Sequence, residues 1–188
     1  MQRIGENVNY ILEHFNQKTY RFQSRAYHHD LMTNISELSK ANHKQNAKAK
    51  YVRKKIFGFN SILACANIEV AKKYYLEFQR QQKAKATDLK IAIIYSFNPN
   101  ENYENQIGYI DEENNEDTSQ LDQSSKEFLA NAINDYNQIF GTSFNITGES
   151  FLNYYKDISL RMKNKEIDLL IVVNMFLTGF DAPTLNTL

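Results

Sequence analysis

Residues 168–188 read DLLIVVNMFLTGFDAPTLNTL, and this stretch decides the fold. Leu169, Leu170, Ile171, Val172 and Val173 form an uninterrupted apolar run, the pattern of a strand buried on both faces of a parallel sheet. In open α/β sheets, ligands gather outside the carboxyl ends of the strands. That position is expected to hold Thr178, Gly179, Phe180, Asp181, Ala182 and Pro183. Glycine lets backbone approach a phosphate, the Asp181 carboxylate accepts from a ribose hydroxyl, and Pro183 stiffens the turn. A tight turn with Asp181 as a helix cap accounts for the same residues.

Upstream, residues 59–66 read as a strand, with Asn67 as cap of a helix carrying Val70, Ala71, Tyr74, Tyr75 and Phe78. Residues 89–97, LKIAIIYSF, form a second buried strand, so the order strand, helix, strand predicts a parallel right-handed crossover. Residues 98–122 are a long acidic, Asn-rich excursion, read as a flexible loop. Ser124 and Glu127 have capping-box spacing before Phe128, Ala132, Ile133, Tyr136 and Phe140, and Gly141 closes that helix. A further helix presents Phe151, Tyr154, Tyr155, Ile158 and Met162 along one side, with Arg161, Lys163 and Lys165 near its C-terminal dipole. Aromatic stripes at these spacings are read as core rather than as base-stacking platforms.

The first 57 residues read as a helical extension. Val8, Ile11, Leu12 and Phe15 share one helical face, residues 18–30 form a connector, and a second helix is expected over residues 47–56. The predicted division is therefore a helical extension at 1–57 and an α/β lobe at 58–188. The lobe is a parallel sheet flanked by helices, incomplete at its C-terminus because residues 185–188 open a further element and leave a sheet edge open.

Composition narrows the function. The 22 basic and 22 acidic residues cancel, which argues against a simple nucleic-acid-coating protein. The charges are nonetheless segregated: Lys40, Lys44, Lys48, Lys50, Arg53, Lys54 and Lys55 meet no acid in their own stretch. Such a stripe touches phosphates or forms a solvated helix face. No apolar stretch reaches the roughly 18 residues of a membrane span, and the N-terminus lacks the pattern of a secretory leader, so a cytoplasmic location is expected. Cys65, the single cysteine, reads as a reduced core thiol. His14, His28, His29 and His43 lack zinc-site spacing, and Asp111, Glu112 and Glu113 lack that of a calcium loop, so no metal site is expected.

The full string MFLTGFDAPTLNTL, residues 175–188, resembles helicase motif V in the R subunit, the motor and restriction subunit, of type I restriction enzymes. GFNSILACANIEVAKKYYLEFQ, residues 58–79, looks like motif IV of that subunit. LKIAIIYSF, SKEFLANAINDYNQIF and GESFLNYYKDISLRMKNKEIDLLIVV resemble the stretches that follow, so the resemblance spans residues 51–188. It implies the second of two RecA-like (P-loop NTPase-like) helicase lobes. By that carry-over Gly179 and Asp181 line the nucleotide side, and Asn174 and Thr178 contact the nucleic-acid backbone; the basic stripe separately offers Arg53, Lys54 and Lys55 as DNA contacts. Many helicases place a hydroxyl residue where Val173 stands and an arginine where Thr178 stands, a departure at the DNA-facing positions.

The chain has no G-x-x-x-x-G-K-[ST] segment, and the arginine-bearing motif VI would follow Leu188. The resemblance thus implies a parent site-specific deoxyribonuclease that uses ATP and magnesium, and a fragment inactive by itself. Implied partners are double-stranded DNA, the methylation and specificity subunits, and the first helicase lobe of the same subunit. Two alternatives are a non-catalytic DNA- or protein-binding module from a truncated gene, and a lobe of another ATP-dependent helicase.

Overall fold

The computed structural model describes residues 2–22, 26–41, 47–85, 87–95, 123–175, 180 and 182–186. The apolar run of residues 169–173 is the central strand of a three-stranded parallel sheet. Here β3 (Ser61–Ala64), β4 (Ile91–Tyr95) and β5 (Leu169–Val173) lie in the order β3-β5-β4. Ser61 and Ile91 both pair with Leu169, so the two outer strands start level with the middle one. All five residues of β5 are buried, as are all five of β4. β3 lies toward the edge and shows a weaker pattern, with Ala64 exposed. β3 and β4 are parallel, as their βα spacing predicts, but β5 comes between them.

Around this sheet pack α3 (Ile68–Lys85), α4 (Gln123–Phe140) and α5 (Gly148–Lys163). Asn67 caps α3, its side-chain oxygen accepting from the Val70 amide at 2.9 Å. Ala71, Tyr75 and Phe78 point from α3 into the core. α4 buries Leu129, Ala132, Ile133 and Tyr136, and Gly141 leaves it at φ +66°. Ser124 is the second residue of α4 rather than its cap, because the helix extends one turn position earlier than the capping-box spacing indicates. Phe151, Tyr154, Ile158 and Met162 are buried along α5, so its aromatic stripe is core.

Two polar residues share that apolar side of α5. Asp157 is fully buried and accepts from the Tyr136 hydroxyl at 2.6 Å and from Arg161 Nε. Arg161 also donates to Glu166 and lies with its guanidinium 4.4 Å from the Phe140 ring centroid. Burial alone would lower the Arg161 pKa; the hydrogen bond and charge of Asp157 outweigh it and raise the value. Desolvation, followed by the Asp157 charge, pushes the Tyr136 hydroxyl far above its ordinary range. Arg161 therefore acts as a buried ion-pair member, beyond the helix-dipole role its position near the C-terminus predicts.

The first 57 residues are not wholly helical. α1 (Gln2–Lys18) forms as expected and buries Val8, Leu12 and Phe15. It lies against α3, where Gln81 donates to the Gly5 carbonyl at 2.8 Å and Asn7 to the Tyr74 hydroxyl at 2.8 Å. The stretch read as a connector contains β1 (Ala26–Met32), and the helix expected over 47–56 is instead β2 (Tyr51–Phe57). The two strands pair antiparallel, from Ala26↔Phe57 to Met32↔Tyr51. Between them α2 (Ile35–Lys40) rests on α5. Long-range pairing here overrides the helical tendency of a Lys- and Ala-rich segment.

The ribbon joins the lobe at Gly58, whose φ is +66°. A Cβ there would come 2.7 Å from Arg21 Cα and 2.9 Å from the Thr19 carbonyl oxygen, both backbone atoms. Phe59 N–H donates to that same Thr19 carbonyl at 2.8 Å, so the chain has no slack to retreat. Gly58→Ala is expected to lower the unfolding free energy by about 2 kcal/mol or more, measured by urea denaturation. Asp157→Ala, which deprives a buried guanidinium and a buried phenol of their shared acceptor, is expected to cost about 3–5 kcal/mol in the same assay. A loss below about 1 kcal/mol would contradict the buried pair.

Candidate functional site

The carboxyl end of the sheet is built from the three strand exits. β5 stops at Val173 and is followed by Asn174, an exposed residue in the left-handed region at φ 54°. Asparagine tolerates that conformation, so the chain breaks sharply out of the sheet there. β3 exits through Cys65 and Asn67 into the N-terminus of α3. Cys65 N–H donates to the Val172 carbonyl at 2.8 Å, and burial pushes the Cys65 thiol up to about 11. That matches an inert reduced core thiol rather than a nucleophile. β4 exits at Tyr95, whose hydroxyl donates to the Ser125 carbonyl at 3.0 Å.

Of the rim side chains named here, Asn67 is committed to its cap and Asn174 and Met175 carry no charge. Glu69 and Lys72, in the first turns of α3 beyond Asn67, pair with each other at 2.7 Å. Thr178, Gly179 and Asp181 lie outside the described residues, as do Lys44, His43 and the acidic stretch containing Asp111, Glu112 and Glu113. Among the described residues no group of three or more His, Cys, Asp or Glu is placed to hold a metal. An open groove of about 650 Å³ between α1 and α3 is lined by Glu6, Asn9, Glu13, Arg80 and Lys85. Its charges are matched locally, Lys85 with Glu13 at 3.2 Å and Arg80 with Glu77 at 2.6 Å.

Phe180, Ala182 and Pro183 are not at the strand tips where the sequence places them. The Lys163 ammonium, at the end of α5, lies 5.6 Å from the Phe180 ring centroid. Ala182 is buried, and the Leu185 amide closes a turn onto its carbonyl at 2.9 Å with Pro183 second in that turn. Asn60 Nδ2 and the Thr184 hydroxyl both donate to the Met162 carbonyl, at 2.7 and 3.0 Å. Leu185 then forms a parallel bridge with Asn60, just before β3. A parallel neighbour must start at the same end as β3, so residues 182–186 lie at the amino end of the sheet. Among the described residues this isolated bridge is the one pairing beside β3 on its outer side.

The candidate DNA contacts are also separated. Asn174 stands at the carboxyl end of β5, whereas the ribbon is tied to the opposite end. His29 Nε2 lies 2.9 Å from the Lys163 carbonyl, and the Met32 amide donates to Asn164 Oδ1 at 2.7 Å. Within β2 the basic residues are split as well. Alternation puts Arg53 and Lys55 on the face of His28 and Asp30, and Lys54 on the face of His29. Asp30 lies 4.0 Å from Arg53, so the stripe that meets no acid in its own stretch meets one across the ribbon. The Asp157–Arg161 pair, missed in the reading of the sequence, had a visible signal in its i,i+4 spacing on the apolar side of α5.

Residues 57–188 match the family model described as type I restriction enzyme subunit R domain 3. The chain is 38% identical over 146 residues to the type I restriction enzyme SauCOLORF180P endonuclease subunit of Staphylococcus aureus strain COL. It is 36% identical over 141 residues to the SsaAORF53P endonuclease subunit of Staphylococcus saprophyticus. These alignments cover 76% and 74% of this chain, and the chain spans about 14% of the length of each relative. The apolar central strand, the parallel RecA-like sheet built on it and the match over residues 57–188 lead to one conclusion: the chain belongs to the R subunit family of type I restriction enzymes.

Proposed function

We propose that this chain is the second helicase lobe of an R subunit, working in ATP-driven DNA translocation and in cleavage of unmodified DNA only within the whole subunit. The observation that carries the reading is the exit of β5. The buried central strand ends in a left-handed Asn174 at the carboxyl edge, where α/β sheets bind ligands. Membership of the R subunit family and the relatives' names as endonuclease subunits support this reading.

Gly179 and Asp181 are assigned to the nucleotide side, the carboxylate accepting from a ribose hydroxyl, with Asn174 and Thr178 toward the DNA backbone. ATP with magnesium would supply the chemical energy when bound. The phosphate-holding lysine and the carboxylates for the metal belong to the first lobe of the same subunit, since the sequence contains no G-x-x-x-x-G-K-[ST] segment. Double-stranded DNA and the methylation and specificity subunits complete the working assembly, in the cytoplasm. Among the described residues no helix is long and apolar enough to cross a membrane.

In a full-length R subunit, Asp181→Ala is expected to weaken ATP use about 10- to 100-fold, the worth of one charged hydrogen bond. ATPase and translocation should fall together while circular dichroism stays unchanged. Wild-type ATPase in that variant would remove Asp181 from the nucleotide side.

A further inference from the structure

The β1–β2 ribbon carries a face that the motor reading does not use. Alternation places Tyr51, Arg53, Lys55 and Phe57 on one side of β2, an aromatic, two cations and an aromatic in register. Their partners on β1 are Met32, Asp30, His28 and Ala26. Tyr51 and Phe57 are 60% and 47% exposed, unusual for large rings on a strand. The Arg53 side chain is 72% exposed, and Asp30, its acidic neighbour among the described residues, is 60% exposed at 4.0 Å, a pairing too solvated to neutralise it. The other face of β1 meets the lobe. There Tyr27 stacks on Phe59 at 5.4 Å and donates to the Gly58 carbonyl, and His29 meets the Lys163 carbonyl.

We infer that this outward face binds an unpaired DNA strand, with Tyr51 and Phe57 stacking bases and Arg53 and Lys55 holding the phosphates between them. Six residues of strand put the two rings about 20 Å apart, a span that suits a site of roughly four nucleotides. Charge alone would serve a duplex equally. Exposed rings alternating with cations favour bases already free of their stack, because every base offers a ring face and a paired duplex hides it. The inference deepens the DNA-handling role proposed above and rests on it only for the choice of nucleic acid. Oligonucleotide binding by this chain and ATPase of the Asp181→Ala parent are separate readouts, so either fails without the other.

The test is fluorescence anisotropy of the 188-residue chain with labelled oligo(dT) of about 12 nucleotides, across a salt series. Tyr51→Ala and Phe57→Ala are each expected to weaken binding about 5- to 100-fold with unchanged circular dichroism. Arg53→Gln and Lys55→Gln should each flatten the dependence of log affinity on log salt by about 0.7. Arg3→Gln, at the end of α1 farthest from Gly58, leaves affinity as it was. The inference is overturned by absence of binding at low salt, by a dT·dA duplex competing as well as the single strand, by ring variants that bind normally, or by an Arg3→Gln loss equal to that of Arg53→Gln.

Discussion

Everything in this lobe is held by β5. Its backbone pairs with β3 on one side and β4 on the other, and its five side chains are 0–4% exposed. Each such side chain stabilises the fold by about 2 kcal/mol relative to exposure. A strand in that position has no polar face to offer, so its sequence must be apolar throughout. A strand buried on both faces meets solvent only at its ends. At the carboxyl end Asn174 turns the chain out of the sheet at positive φ, and the candidate ligand edge follows from that break.

Two polar arrangements secure the opposite end. Asn60 and Thr184 converge on the Met162 carbonyl, and Asn60 bridges Leu185 just before β3. The Asp168 side chain accepts from the Lys90 amide at 3.0 Å and lies 3.6 Å from Arg21, so the entries to β4 and β5 and the turn after α1 are joined. The N-terminal helix and ribbon are thereby part of the same packed body as the sheet. The amino end of the sheet thus carries both the structural closure and the basic ribbon.

That placement explains why candidate DNA contacts that look alike in the sequence are separated in space. Asn174 and the Arg53–Lys55 triplet are tied to opposite ends, and the triplet is itself divided by the pleat, with Lys54 turned away from its neighbours. A run of like charges becomes two half-sites once it is a strand. It would have stayed together as one broad patch on the helix that local propensity favours.

Where burial is nearly complete, local pattern sufficed: β4, β5, the Asn67 cap, the apolar sides of α1, α3 and α5 and the Gly141 stop all follow from period and capping chemistry. The family likeness was legible partly for the same reason, since the stretch resembling motif IV runs into α3 and the stretches after it run along β4, α4, α5 and β5. The ribbon was not legible. Neither YVRKKIF nor AYHHDLM has one clean apolar face, and each becomes a strand only by pairing with the other across some two dozen residues. The sites of Phe180, Ala182 and Pro183 were hidden too, because a glycine and proline mark a turn but not the direction in which it leaves. Sequence alone determined which segments must be buried; tertiary structure decided which end of the sheet each loop occupies, because that depends on partners distant in the chain.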